Sequence, residues 1–353
     1  MSPDTMTVAR LFAPRDLRLV EMALPEVGPR EVLCRVARVG VCGTDYAIYI
    51  GEASFVKSGA VKFPLTLGHE WSGHVAQIGS EVTRFAPGDR VTGDTGVACG
   101  QCLECLFGQW PRCREAKSVG TVNAWDGAYA EYILFPERHL FPLPETVSLD
   151  NGALVEPAAT ALYAVHKAQV RIGDTVLVQG SGPLGILAAK LAQLSGASRV
   201  LITGRKDAKL DLAVGLGLDG AINTTRETVN AGLQRHLGEG QVDRVIEASG
   251  STALFRESLG LVKPGGALSV VAFYDRPLES FDLDGFVFSD TSLVAVPGSL
   301  GMYPPVLKLL ASGRLDCTPL ITERASLTEV PELLPRLKEN AETRVKVMLN
   351  VGE

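Results

Sequence analysis

The chain has 353 residues, 46% of them apolar and 21% charged, with a formal net charge of −6. Those values fit a soluble globular protein with room for two domains. Lys and Arg are spread without a basic run, which argues against a nucleic-acid footprint and against binding to an anionic membrane surface. The N-terminal MSPDTMTVAR lacks an apolar leader core and no long apolar run occurs anywhere, so neither a signal peptide nor a membrane span is predicted. The expected location is the cytoplasm, where clustered cysteines point to metal and not to disulfides.

In chain order, residues 1–155 are punctuated by Gly and Pro. The runs EVLCRVARVGVCG, LGHEWSGHVAQIG and GAYAEYILFP read as strands of an irregular β domain. Within it, Cys42 in GVCGTD and the adjacent His69 and Glu70 in LGHEWSG offer a thiolate, an imidazole and a carboxylate, a set suited to zinc. Each residue alone reads as ordinary packing. Together, three ligands leave a fourth position open, as a catalytic zinc requires. Neighbours in a regular strand face opposite ways, so His69 and Glu70 reach one metal only if the chain bends at Gly68. Glu156, in LVEPAATAL, reads as either a fourth ligand or a base beside the metal.

The segment CGQCLECLFGQWPRC carries Cys99, Cys102, Cys105 and Cys113, four of the chain's seven cysteines. Their C-x2-C-x2-C-x7-C spacing suits four thiolates on a tetrahedral zinc, with no position left for substrate. The familiar spacing for a cubane iron–sulfur cluster closes more tightly and with a Pro. A structural zinc lobe over about 94–115 is therefore expected, and the chemistry is expected at the quieter set of Cys42, His69, Glu70 and Glu156.

Over 156–294 the pattern changes. DTVLVQGSGPLGILAAKLAQLSGASRVLITG reads as strand, glycine turn, apolar helix and strand, and VDRVIEASG and GGALSVVAF add two buried strands. That is the signature of a parallel sheet covered on both faces. Gly180, Gly182 and Gly185 form G-x-G-x-x-G, with Ser181, Pro183 and Leu184 between them. The first glycine permits the turn, the second lets a pyrophosphate approach, and the third packs helix on strand. An NAD site places an acid at the end of the second strand. Here Gly204 stands there, followed by Arg205 and Lys206, so NADP is favoured over NAD. Residues 295–353 revert to the first pattern, with a helix in PPVLKLLASGRL and a closing strand RVKVMLN.

With GVCGTD, GHEWSGHV, GDRV, the cysteine cluster, EPAATAL, GSGPLG and VKPGG in that order, the chain resembles the zinc-dependent medium-chain alcohol dehydrogenases. The resemblance spans nearly the whole length and is nearest the sorbitol (polyol) and threonine dehydrogenase branch. It implies an α/β protein with a GroES-like β-rich catalytic domain over 1–155, completed by 295–353, and a Rossmann domain over 156–294. It implies two zinc ions per subunit, one at Cys42, His69 and Glu70 with Glu156 at or beside it, the other at the four clustered cysteines. Thr44 matches the residue that shuttles the substrate proton. The loop from Val294 to Gly301, with Val296, Pro297 and Gly298, is expected beside the nicotinamide, and Phe273 is a further lining candidate.

One departure is Ala47, where the family commonly carries a histidine relay. It weakens a threonine dehydrogenase reading. The implied activity is hydride exchange between a nicotinamide and a secondary alcohol of a sugar, polyol or cyclitol. Tyr49, Trp71, Asn123 and Asp126 flank the motifs and are candidate substrate neighbours. A homo-dimer or homo-tetramer is implied. The rival readings are a threonine or amino-alcohol dehydrogenase and a non-catalytic nucleotide-binding zinc protein. Retention of Cys42, His69 and Glu70 argues against the latter.

Overall fold

A computed structural model describes residues 4–352 apart from 108, 124, 275 and 276. The chain divides into two compact units. One joins the residues up to Glu156 to those from Tyr303 on, and the other is Pro157–Met302.

In the first unit, strand Glu31–Val41 is the centre of a seven-stranded sheet. It pairs antiparallel with Glu70–Ile78, with Lys346–Asn350 and, along its first half, with Tyr132–Pro136. Its side chains are buried on both faces, which explains why the sequence shows a β-branched run with little alternation. Beneath it lies a core of Trp71, Tyr129, Phe135, Leu65 and Leu67, with the Trp71 and Phe135 rings 5.4 Å apart. The register has a consequence for the site: Gly40 stands opposite Glu70 on one side and Met348 on the other. Early and late parts of the chain thus converge on one strand.

The second unit is built on six parallel strands. Their order is Gly220–Asn223, Arg199–Gly204, Thr175–Gln179, Val242–Glu247, Val262–Val270, Ser292–Ala295. This is the doubly wound order of a dinucleotide-binding sheet, with its ligand crevice outside the carboxyl ends of the central strands. Helix Pro183–Leu194 follows strand Thr175–Gln179 and starts on a proline whose missing N–H costs nothing at that position. It buries Ile186, Leu187, Ala188 and Leu191. Among the described residues, no helix is long and apolar enough to cross a membrane.

Candidate active site

Cys42 directly follows strand Glu31–Val41 and caps the short helix Gly43–Tyr49. Its Sγ accepts the Thr44 N–H at 3.5 Å, and its own N–H donates to Asp45 Oδ2 at 2.9 Å. Gly68 has a φ of +91°, and regular strand begins only at Glu70, so the bend that strand geometry demanded lies immediately before His69. A side chain at Gly68 would also run into the Tyr129 ring. The bend brings ligand atoms of Cys42, His69 and Glu70 within 4.8 Å of one another. Three such donors can surround one zinc bound at about 2.0–2.3 Å, so the residues fit the metal that the donor set suggests.

Two of the three donors, His69 and Glu70, are backed by buried charges that the motifs do not single out. Asp45 is fully buried, and its carboxylate accepts from the Tyr129 hydroxyl at 2.9 Å and the Gly68 N–H at 3.3 Å. Its Oδ1 lies 3.4 Å from His69 Nδ1, an ion-pair distance without hydrogen-bond alignment, which leaves Nε2 as the nitrogen for a metal. Burial alone would raise the Asp45 pKa, but His69, the Cys42 N–H and the Tyr129 hydroxyl outweigh it and keep the group a carboxylate. Burial opposes charge on His69, yet Asp45 and then Cys42 prevail, so the metal-free imidazole holds its proton well above the ordinary histidine range. Metal and proton compete for that ring.

Glu70 is paired with Lys346, whose Nζ lies 2.8 Å from Oε1 and 2.7 Å from Oε2 and also donates to the Val41 carbonyl at 3.2 Å. Both partners are buried. Burial pushes the ammonium down, but Glu70, with Cys42 adding, holds it above its ordinary value. Gly40 is required here, because any Cβ would collide with the Glu70 carboxylate. Glu156 lies outside the three-residue cluster. It accepts the Thr95 hydroxyl at 3.0 Å, and burial, opposed by His69 and reinforced by Glu70, raises its pKa. Thr44 is half-buried on the turn after Cys42, and Ala47 follows one turn on.

The four clustered cysteines also come together, with one sulfur from each of Cys99, Cys102, Cys105 and Cys113 within 4.8 Å of the others. All are free thiols. Cys99 Sγ accepts the Cys102 N–H and Cys113 Sγ accepts the Cys99 N–H, each at 3.4 Å. Backbone N–H groups of Gln101 and Cys102 pull the Cys99 thiol down to about 7. The lobe is tied down by buried His139, whose Nε2 accepts the Ala98 N–H at 3.1 Å, and by the Trp110 indole, which donates to the Cys105 carbonyl at 3.0 Å.

In the second unit, the three glycines of the turn differ in what a side chain would meet. At Gly180, with φ +115°, it would press on the Ala248 and Ser249 backbone, and at Gly185 it would strike the Gly180 carbonyl. At Gly182 it would meet nothing within 4 Å, leaving the open approach that a pyrophosphate needs. Pro183 and Leu184 begin the helix. Gly204 ends its strand, Arg205 is exposed and Lys206 is half-buried. Val296 is buried, with its N–H on the Val270 carbonyl at 2.9 Å, Pro297 and Phe273 are exposed, and Gly298 is half-buried.

The substrate candidates have other engagements. Tyr49 and Trp71 are buried in the core of the first unit. The Asn123 amide donates to the Ala116 carbonyl at 2.9 Å. Asp126 pairs with Arg10 at 3.0 Å and accepts the Thr66 N–H at 2.9 Å.

Residues 28–145 match the alcohol dehydrogenase GroES-like domain, and residues 183–312 match the zinc-binding dehydrogenase family. L-threonine 3-dehydrogenase of Rhizobium etli (strain CIAT 652) is 33% identical over 317 residues, 89% of each chain. Sorbitol dehydrogenase of Bacillus subtilis (strain 168) is 27% identical over 347 residues, 98% of each. Among solved structures, a zinc-binding dehydrogenase of Sinorhizobium meliloti 1021 bound to NADP superimposes with a TM-score of 0.89 at 29% identity, covering 99% of this chain and 100% of that one.

Proposed function

The chain belongs to the zinc-dependent medium-chain alcohol dehydrogenases, and we propose that within them it exchanges a hydride between NADP and the secondary alcohol of a polyhydroxylated small molecule. The observation that carries this reading is the cluster of Cys42, His69 and Glu70, a three-donor set with a fourth position left for substrate. When bound, zinc supplies Lewis acidity to an alcohol or ketone oxygen and the nicotinamide takes or gives the hydride. Cys42, His69 and Glu70 would hold the metal. Asp45 keeps His69 turned, and Lys346 balances the Glu70 charge in a buried place where a lone carboxylate would be costly. Thr44 would take the proton of the substrate hydroxyl, and water or another side chain would carry it on, because Ala47 offers no relay. Glu156 stands beside this set as a candidate proton acceptor, its pKa raised by burial.

Support for NADP comes from the missing acid at Gly204 and the cations Arg205 and Lys206. Support for a polyol, sugar or cyclitol comes from the near full-length likeness to a sorbitol dehydrogenase and from Ala47. The 33% identity to a threonine dehydrogenase favours the second reading, an amino-alcohol substrate. The exposed edge strand Ser292–Ala295 and the exposed Val287 and Phe288 of the preceding helix suit a dimer or tetramer. An assay of reduced-nicotinamide formation across polyols, sugars, cyclitols and threonine, with NAD and NADP in parallel, tests both choices. The expected result is a polyhydroxylated substrate with NADP. Faster turnover of threonine overturns the substrate reading, and a preference for NAD overturns the cofactor reading.

A further inference from the structure

Gly204 stands where the cofactor's adenosine ribose is read. Its φ lies outside the left-handed region, so the backbone does not demand glycine there. Space does. A Cβ at this position would overlap Ser181 Oγ and would lie 2.8 Å from Ser181 Cβ and 3.0 Å from Leu210 Cδ2. Ser181 is buried between the first two glycines of the turn, and Leu210 is buried on the following helix. The backbones on either side are held as well: Gly180 donates to the Thr203 carbonyl at 3.1 Å, and the Gly204 carbonyl accepts the Thr224 N–H at 2.9 Å. Neither strand end can retreat without giving up a hydrogen bond. The acid that does follow, Asp207, is turned to the neighbouring loop, where it meets Asn223 Nδ2 at 2.7 Å and pairs with Arg226.

We infer that Ser181 is a specificity-determining residue for the cofactor. Its side chain fills the volume in which an acid at position 204 would begin, so the turn and the second strand together exclude the carboxylate that an NAD ribose needs. This rests on the NADP reading above, but by a separate route. That reading concerns the charges of Arg205 and Lys206, whereas the exclusion concerns space alone. It follows that restoring the acid at 204 does not by itself make the site accept NAD.

Gly204→Ala tests the space without adding charge. Its affinity for NADPH, read by fluorescence, should fall about tenfold or more, the scale of an overpacked contact, with a lower melting temperature. Adding Ser181→Gly should restore most of both. Adding Ser181→Ala, which leaves the 2.8 Å Cβ contact in place, should restore less. In the same way S181G/G204D should exceed G204D in kcat/KM for NAD by about tenfold or more. A G204A variant that fails to fold while S181G/G204A folds is the same result in its extreme form. The inference is overturned if G204A binds NADPH and melts like the parent, or if the double variants do no better than the single ones. A parent enzyme that prefers NAD would overturn the NADP reading instead, and the G204A comparison would still decide the packing.

Discussion

The four cysteines of the lobe are gathered by one short loop, whereas Cys42, His69 and Glu70 are gathered by a fold. In the lobe the thiols are served by backbone N–H groups of their own loop, as in the contacts of Cys102 N with Cys99 Sγ and of Cys99 N with Cys113 Sγ. In the other cluster two of the three donors are served by buried charged side chains from other segments, Asp45 behind His69 and Lys346 behind Glu70. Four thiolates complete a tetrahedral ion and leave it inert, while three donors leave it a place for substrate. On the function proposed above, one cluster is scaffold and the other the reaction centre, and it is the second that carries buried paired charges, at His69 and Glu70.

The contrast can be broken by single changes. The largest effect is expected at the reaction centre: His69→Ala should lower turnover by about three orders of magnitude or more, while the protein still folds and binds NADPH. Next is Lys346→Met, which leaves Glu70 buried without its partner. The metal-free protein should lose about 3–5 kcal/mol in denaturant unfolding and the zinc-loaded protein less, because the ion takes over part of the compensation. Lys346→Arg should recover part of the loss.

The lobe responds through stability and pH. Burial, with Arg138 adding, depresses His139 to about 4 from an ordinary 6.5. Below about 6.5 the unfolded chain therefore takes up the proton before the folded one. The stability this group contributes is complete above that pH and is lost as pH falls toward about 4, a difference of about 3 kcal/mol. Urea unfolding across that range should show the slope, and His139→Gln, which keeps an acceptor for the Ala98 N–H, should flatten it. The smallest effect is that of Asp45→Asn, which should weaken zinc binding by about 10–100-fold in a chelator competition while sparing the lobe's zinc.

The two clusters also differ in how far the sequence reveals them. Spacing alone exposes the cysteine lobe, because its ligands are neighbours in the chain. The bend at Gly68 is legible too, since strand geometry forbids His69 and Glu70 from sharing a metal without it. Lys346 is hidden: RVKVMLN reads as an ordinary closing strand, and the partner carboxylate lies 276 positions away. The available signal is a lysine inside an otherwise apolar strand. Asp45 is present in GVCGTD, but only the cap of a short helix turns it inward to His69. Tyr49 and Trp71, which flank the motifs, lie in the core of the first unit, as large residues beside a motif often do. Asn123 and Asp126 show the same for polar residues, whose hydrogen bonds tie down loop backbone. The parallel sheet is read without difficulty, because strands buried on both faces carry continuous apolar runs.

The division of labour between the clusters is tested most directly by removing zinc stepwise from the intact protein with a chelator, recording turnover, melting temperature and bound zinc at each step. The open three-donor site should release its ion first. Turnover should then fall to background with about one zinc per subunit remaining and the melting temperature nearly unchanged, and loss of the second zinc should lower the melting temperature. Turnover that persists until the second zinc leaves would contradict the assignment of the chemistry to Cys42, His69 and Glu70.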